Sequence, residues 1–211
     1  MIRLVVADDH TIVREGLKQL LGAAGDLEVV GEAQNGHEVI DRIRTLDFDL
    51  LLLDMSMPGK SGIELIKQVR SEKPKLRILV LSMHEEHQYA VRAIRAGAAG
   101  YLTKESASRA LVDAIRKVAS GGAFISSEVA EQLALSAMPG AEGAPHDRLS
   151  DREFQVFRLI AEDKSVSDIA ERLNLSVKTV STHKSNILHK LDVAGTGELI
   201  RYALAHRLVE G

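Results

Sequence analysis

Five polar residues of this chain follow directly on hydrophobic runs: Asp8 and Asp9 close residues 2–7, Asp54 closes 48–53, Ser82 closes 78–81, and Lys104 follows Tyr101-Leu102-Thr103. If these runs are parallel strands of one sheet, the polar groups meet at its carboxyl edge, where open α/β sheets bind their ligands. Three carboxylates, a hydroxyl and an ammonium there suit a divalent cation and a phosphoryl group. A carboxylate such as Asp54 is a nucleophile able to form an acyl phosphate. A hard cation held by Asp8, Asp9 and Asp54 would offset the repulsion of one anion attacking another. Lys104 would stabilise the charge that develops on the transferring group. Taken singly, each residue also has an ordinary reading. Asp54 can be a turn or helix-cap residue, Asp8-Asp9 a cap for the following helix, Lys104 a solvated lysine and Ser82 a strand-end hydroxyl. Their convergence on one edge favours the chemical reading.

The elements that must position these groups follow from periodicity. Runs rich in Val, Ile and Leu at 2–7, 27–32, 48–54, 78–82 and 99–102 show no polar alternation, so each strand is buried on both faces. Between and after them lie helical spacings, such as Val13-Leu17-Leu20-Leu21, Ile63-Leu65-Ile66-Val69 and Leu111-Ala114-Ile115-Val118. The fold class expected for residues 1–122 is therefore a five-stranded doubly wound α/β domain with a parallel sheet. Turn signals at Asn35-Gly36, Pro58-Gly59, Gly97 and Gly121-Gly122 punctuate it. Residues 123–147 read as a linker with a short helix from Ser126-Ser127-Glu128, followed by irregular structure over 139–145.

Residues 148–211 read as a small all-α domain. Ser150 with Glu153 forms a capping box that opens an amphipathic helix carrying Phe154, Phe157 and Ile160. A second helix over 167–173, a tight turn at Asn174-Leu175, a cap at Ser176, a third helix over 177–191 and a fourth over 198–208 complete a helix-turn-helix pattern. The third helix carries Lys178, His183, Lys184, His189 and Lys190 and no acidic residue, whereas 147–171 is rich in carboxylates. That local charge matters because the net charge of −3 over 211 residues gives no global sign of nucleic-acid binding.

With these motifs in order, the first domain resembles the receiver domain of two-component response regulators, a flavodoxin-like fold. The motifs are Asp8-Asp9, Asp54 with Met57-Pro58-Gly59 and Gly62, Ser82, and Gly100-Tyr101-Leu102-Thr103-Lys104. The second resembles the LuxR-type DNA-binding domain through Leu149-Ser150, Arg152-Glu153, Ile169-Ala170, Leu173, Leu175-Ser176, Thr179-Val180, His183, Ile187 and Lys190-Leu191. The arrangement is that of the NarL/FixJ subfamily. The resemblance implies a regulator phosphorylated on Asp54 by a sensor histidine kinase with Mg2+, forming a homodimer and binding double-stranded promoter DNA. It implies that the Ser56 carbonyl joins the metal shell, that Ser82 senses the phosphoryl group and that Tyr101 couples this to the face around 83–96. Ser56 and His84 would tune the lifetime of the acyl phosphate. On the third helix it implies base-facing Ser181, Thr182 and Ser185, with Lys178 and Thr179 near phosphates and Lys184 contributing to readout. The chain departs from the family at Asp163, where glycine is common, at Val166, where asparagine is common, and at Ser181, where a basic residue is common.

Other classes are narrowed by composition. Cysteine is absent, which excludes disulfides, thiolate zinc sites and cysteine nucleophiles. No apolar run approaches a membrane span, and a cytoplasmic location is expected. An aspartate-nucleophile phosphatase usually has a second carboxylate two residues after the nucleophile, where this chain has Ser56, so an enzyme is not expected. A DNA-binding protein with an unphosphorylated receiver is the remaining alternative. The stripe Leu199, Ile200, Ala203, Leu204 and Leu208 suits either a two-fold contact or the small domain's own core.

Overall fold

Apolar runs without polar alternation demand cover on both sides, and the computed structural model supplies it. It describes residues 1–57, 62–82, 87–136, 144–206 and 208–209. Pro58-Gly59, His84 and residues 139–143 lie outside that set. The chain divides into two compact units, Met1–Glu131 and Gln132–Gly211.

In the first unit, β1 (Ile2–Ala7), β2 (Leu27–Ala33), β3 (Leu50–Asp54), β4 (Arg77–Ser82) and β5 (Gly100–Thr103) form one sheet in the order β2-β1-β3-β4-β5. Every pairing is parallel. The register brings the strand ends level: Ala7 pairs with Leu53, Asp54 with Leu81, and Ser82 with Thr103. The chain order reverses direction between β1 and β3, which is where such sheets open a crevice. Helices α1 (Thr11–Gly22), α2 (Gly36–Thr45), α3 (Gly62–Glu72), α4 (His87–Ala96) and α5 (Lys104–Ala119) connect or follow the strands. Leu4, Val6, Leu50, Leu52, Leu79, Leu81 and Leu102 share a core with Leu17 and Leu21 of α1 and Leu111, Ile115 and Val118 of α5. The alternate strand residues Val5, Leu51, Leu53, Ile78 and Val80 are equally buried, on the opposite face to which the period of two directs them. Helix α6 (Ser127–Ser136) follows.

The second unit contains a 3-10 turn at Pro145–Arg148, then α7 (Asp151–Ala161), α8 (Val166–Arg172), α9 (Val177–Leu191) and α10 (Thr196–Ala205). The capping box of Ser150 and Glu153 is present as expected. Ser165 forms a second one with Asp168, so α8 starts at Val166 and not at 167. Ser176 caps α9 by accepting from the Thr179 amide. Three other expectations need correction. Pro145, read as irregular linker, opens the 3-10 turn, whose first residues need no amide donor. Strand β3 begins at Leu50 and not at Phe48. The last helix runs from Thr196 to Ala205 rather than over 198–208, with Leu208 buried beyond its end.

Asp163, where the family commonly has glycine, has φ 59° and ends α7 in the left-handed conformation. The Asp163 amide donates to the Ile160 carbonyl and the Lys164 amide to the Leu159 carbonyl, the two bonds of a Schellman motif. The turn before α8 thus has a glycine-like backbone on an aspartate. Asn174, at φ 52°, does the same for the tight turn after α8, with Leu175 donating to the Ala170 carbonyl. Aspartate tolerates this conformation at a cost that glycine avoids. Asp163→Gly is therefore expected to stabilise the helical unit by up to about 1 kcal/mol in chemical denaturation of the full chain. A lower midpoint would show that the Asp163 side chain contributes more than its backbone conformation costs.

Candidate functional site

The level strand ends gather the acidic and basic groups at one edge. Asp8 and Asp54 are each only 1% exposed. Lys104 reaches across from the start of α5 and donates to Asp8 Oδ2 at 2.6 Å. Its Nζ also lies 3.0 Å from Asp54 Oδ2. The position of Lys104 is fixed from below, because Thr103 caps α5 by accepting from the Ser106 amide. The Ser56 amide folds back to donate to Asp54 Oδ1 at 3.1 Å. Ser82, fully buried, ends the strand beside β3. Tyr101 is buried as well.

Burial pushes the Asp54 carboxyl above its ordinary value, and the Asp8 charge adds to this, against the opposing ammonium of Lys104. For Lys104, burial opposes the charge, but the hydrogen bond to Asp8 and the charge of Asp54 outweigh it and raise its pKa. Two buried carboxylates therefore share one ammonium. Asp9, partly exposed, adds a third, and the ligand atoms of Asp8, Asp9, His10 and Asp54 all lie within 4.8 Å of one another. Asp54 Oδ2 faces the Lys104 ammonium at 3.0 Å and Asp9 Oδ1 the His10 ring at 2.9 Å, and both oxygens are buried. Three carboxylates against one ammonium, their oxygens clustered at one point, fit a hard divalent cation.

Two supporting residues went unread in the sequence. Arg14 is a buried cation on α1 whose Nη1 donates to the Asp8 carbonyl at 2.7 Å and whose Nε donates to Glu32 at 3.0 Å. It ties the Asp8-Asp9 turn to β2. A signal existed: Arg14 lies on the same face of α1 as Leu17 and Leu21, where a charge requires a partner. His10 is the other, its ring turned toward the carboxylates.

On α9, Lys178, Ser181, Thr182 and Ser185 are exposed, with Thr179 and Lys184 partly so. The hydroxyls of Ser181, Thr182 and Ser185 donate to the carbonyls of Val177, Lys178 and Ser181, so their lone pairs are the groups left facing outward. Lys190 departs from the expected basic face. It binds Glu153 of α7 at 2.7 Å, and this bond, with the Ser150 amide, holds Glu153 below its ordinary value although burial works the other way. Of the expected apolar stripe, Leu199 and Ala203 of α10 and Leu208 beyond its end are core, whereas Ile200 and Leu204 remain at least partly exposed.

Residues 4–116 match the family described as response regulator receiver domain, and residues 147–203 match bacterial regulatory proteins of the luxR family. The chain is 38% identical to the response regulator UvrY of Escherichia coli over 209 residues, covering 99% of this chain and 96% of that one. It is 38% identical to the response regulator GacA of Pseudomonas aeruginosa over 211 residues, covering 100% and 99%. Among solved structures, RcsB from Salmonella enterica serovar Typhimurium, bound to a promoter in the presence of the phosphomimetic BeF3-, matches with TM-score 0.70 and 32% identity. That match covers 95% of this chain and 97% of the other.

Because two buried carboxylates face one ammonium, Asp54→Asn is expected to raise the stability of the first unit in metal-free buffer, by about 1 kcal/mol or more. Thermal unfolding in chelator checks this. A fall in stability would mean that Lys104 depends on Asp54 more than Asp8 and Asp54 repel each other.

Proposed function

Since the chain belongs to the response regulators, with a receiver domain followed by a LuxR-type DNA-binding domain, we propose that a sensor histidine kinase phosphorylates Asp54 and thereby controls promoter binding. The observation that carries this reading is Lys104 Nζ set between Asp8 and Asp54, at 2.6 and 3.0 Å. In the proposed transfer a P–O bond forms to an Asp54 oxygen as the P–N bond to the donor imidazole breaks. Asp8, Asp9, Asp54 and the main chain at Ser56 would hold Mg2+, which neutralises the charge that accumulates between nucleophile and phosphoryl group. Lys104, kept protonated by Asp8, turns to the new phosphoryl oxygens, and Ser82 donates its hydroxyl to one of them.

The modification shifts a conformational equilibrium only through contacts made in one state and not the other. The Ser82 hydrogen bond and the Lys104 ion pair are those contacts. Tyr101, buried on the strand that ends just before Lys104, carries the change toward α4, whose preceding residues 83–86 lie outside the described set. Output runs through α9, with Lys178, Thr179, Ser181, Thr182, Lys184 and Ser185 meeting DNA. Lysines 178 and 184 supply the phosphate attraction, and the hydroxyl lone pairs accept from exocyclic amines of bases. Dimerisation doubles the contact, and Ile200 and Leu204 are the apolar residues of α10 left to serve it. Catalysis is confined to the receiver's own phosphorylation and dephosphorylation. The protein acts in the cytoplasm, where its promoters are, and no described helix is long and apolar enough to cross a membrane.

Incubation with Mg2+ and a small-molecule phosphodonor is expected to add one phosphoryl group to the intact mass, and Asp54→Ala to abolish the gain. Equal gain in both proteins would place the acceptor elsewhere.

A further inference from the structure

At the end of the sheet opposite the carboxylates, where β3 and β4 begin, a cavity of about 540 Å³ opens. It lies between the end of α2, the segment 46–49 before β3, the segment 72–77 leading into β4 and the last residue of α5. That volume is within the range of small-molecule sites, about 300–1,000 Å³. Main-chain hydrogen bonds tie the walls together. The Asp49 amide donates to the Arg3 carbonyl at 2.9 Å, Lys73 to Val69 at 2.8 Å and Leu76 to Lys73 at 3.1 Å. Ile43, Leu46, Phe48, Leu76 and Ala119 give the cavity an apolar lining. Leu46, Phe48 and Ala119 stay partly exposed, so an apolar body seated on them would release water.

The charges around this lining are unevenly matched. Its three carboxylates have cations from outside it. Asp49 Oδ2 accepts from the Arg3 amide at 2.8 Å, Asp47 Oδ2 stands 3.8 Å from Arg3 Nη1, and Glu72 accepts from both Nε and Nη2 of Arg44, at 2.7 and 2.9 Å. Its three cations, Lys73, Lys75 and Arg77, have no carboxylate partner among the described residues. Arg77 is partly buried and set against the turn after α5, where a β-carbon on Gly121 would stand 3.3 Å from its Nη2. We infer that the cavity binds a small amphipathic carboxylate, whose hydrocarbon body covers Leu46, Phe48 and Ala119 and whose carboxylate meets Arg77, Lys73 and Lys75. A guanidinium matches a carboxylate with two parallel N–H groups, and lysine stems add apolar cover while their ammonium groups stay in water. This site lies at the other end of β3 and β4 from Asp54 and Ser82 and does not depend on the reading of Asp54 as phosphoacceptor.

The test is titration of the isotope-labelled full chain with sodium octanoate, followed through its amide resonances, beside octanol and sodium acetate. Octanoate is expected to saturate with a Kd of about 1 mM. The shifts are expected in the segments 46–49, 72–77 and 119–122. Octanol has the body without the charge and acetate the charge without the body, and each is expected to bind about tenfold more weakly or less. Arg77→Gln is expected to weaken octanoate by about tenfold. Lys73→Gln combined with Lys75→Gln, at two exposed positions the fold tolerates, is expected to weaken it by about threefold. Shifts that grow without saturation, shifts centred on other residues, or an octanoate affinity unchanged in both variants overturn the inference. Octanol binding as tightly as octanoate also overturns it, leaving an apolar crevice with no anion site.

Discussion

Burying Asp8 and Asp54 side by side, with Lys104 as their shared ammonium, is the constraint around which the receiver is built. An ion taken from water costs several kcal/mol, and leaving one such charge without its partner costs about 3–5 kcal/mol. Any slip of register between β1, β3 and β5 would incur that loss. The parallel pairings that align Ala7 with Leu53 and Ser82 with Thr103 therefore do more than bury leucines. They set the distance over which Lys104 can neutralise two carboxylates. The Thr103 cap, the Ser56 amide and the Arg14 fork each hold one corner of this arrangement. Since one ammonium does not balance three carboxylates, the pocket keeps an excess of negative charge. That imbalance is what the proposed cation and phosphoryl group would answer.

The helical unit solves a different problem. Its helices are held at fixed angles by caps and turns, and its ion pairs lie away from the exposed side of α9. Two Schellman turns, on Asp163 and Asn174, set the exits of α7 and α8, and serine caps fix the entries of α7, α8 and α9. Lys190 is assigned to holding α9 onto α7 through Glu153, which leaves Lys178 and Lys184 on the side that faces outward. Charge on one helix is thus divided between cohesion and the solvent-facing side.

The sequence made the sheet and the acidic edge legible because both depend on local pattern. Strands buried on two faces read as unbroken Val, Leu and Ile, and a polar residue at the end of such a run is conspicuous. Asp8, Asp54, Ser82 and Lys104 were found this way. The boundaries at Phe48 and Leu208 were displaced because an apolar residue beyond an element's end packs as well as one within it, and that at Ser167 because Ser165 with Asp168 caps the helix earlier. What escaped was whatever depends on a distant partner. Arg14 acts through Glu32 and the Asp8 carbonyl, Lys190 through Glu153, and His10 through two carboxylates whose proximity only the fold creates. The left-handed Asp163 was visible as a departure from glycine, but its backbone conformation was not.

The central claim is that modification of Asp54 governs DNA affinity. The most direct measurement is the affinity of the full chain for a duplex selected from a random-sequence pool, with and without BeF3- and Mg2+. The account predicts at least about tenfold tighter binding with BeF3-, a gain of about 1.4 kcal/mol, and no gain in Asp54→Ala. Equal affinity of the unaltered protein in both conditions would contradict it.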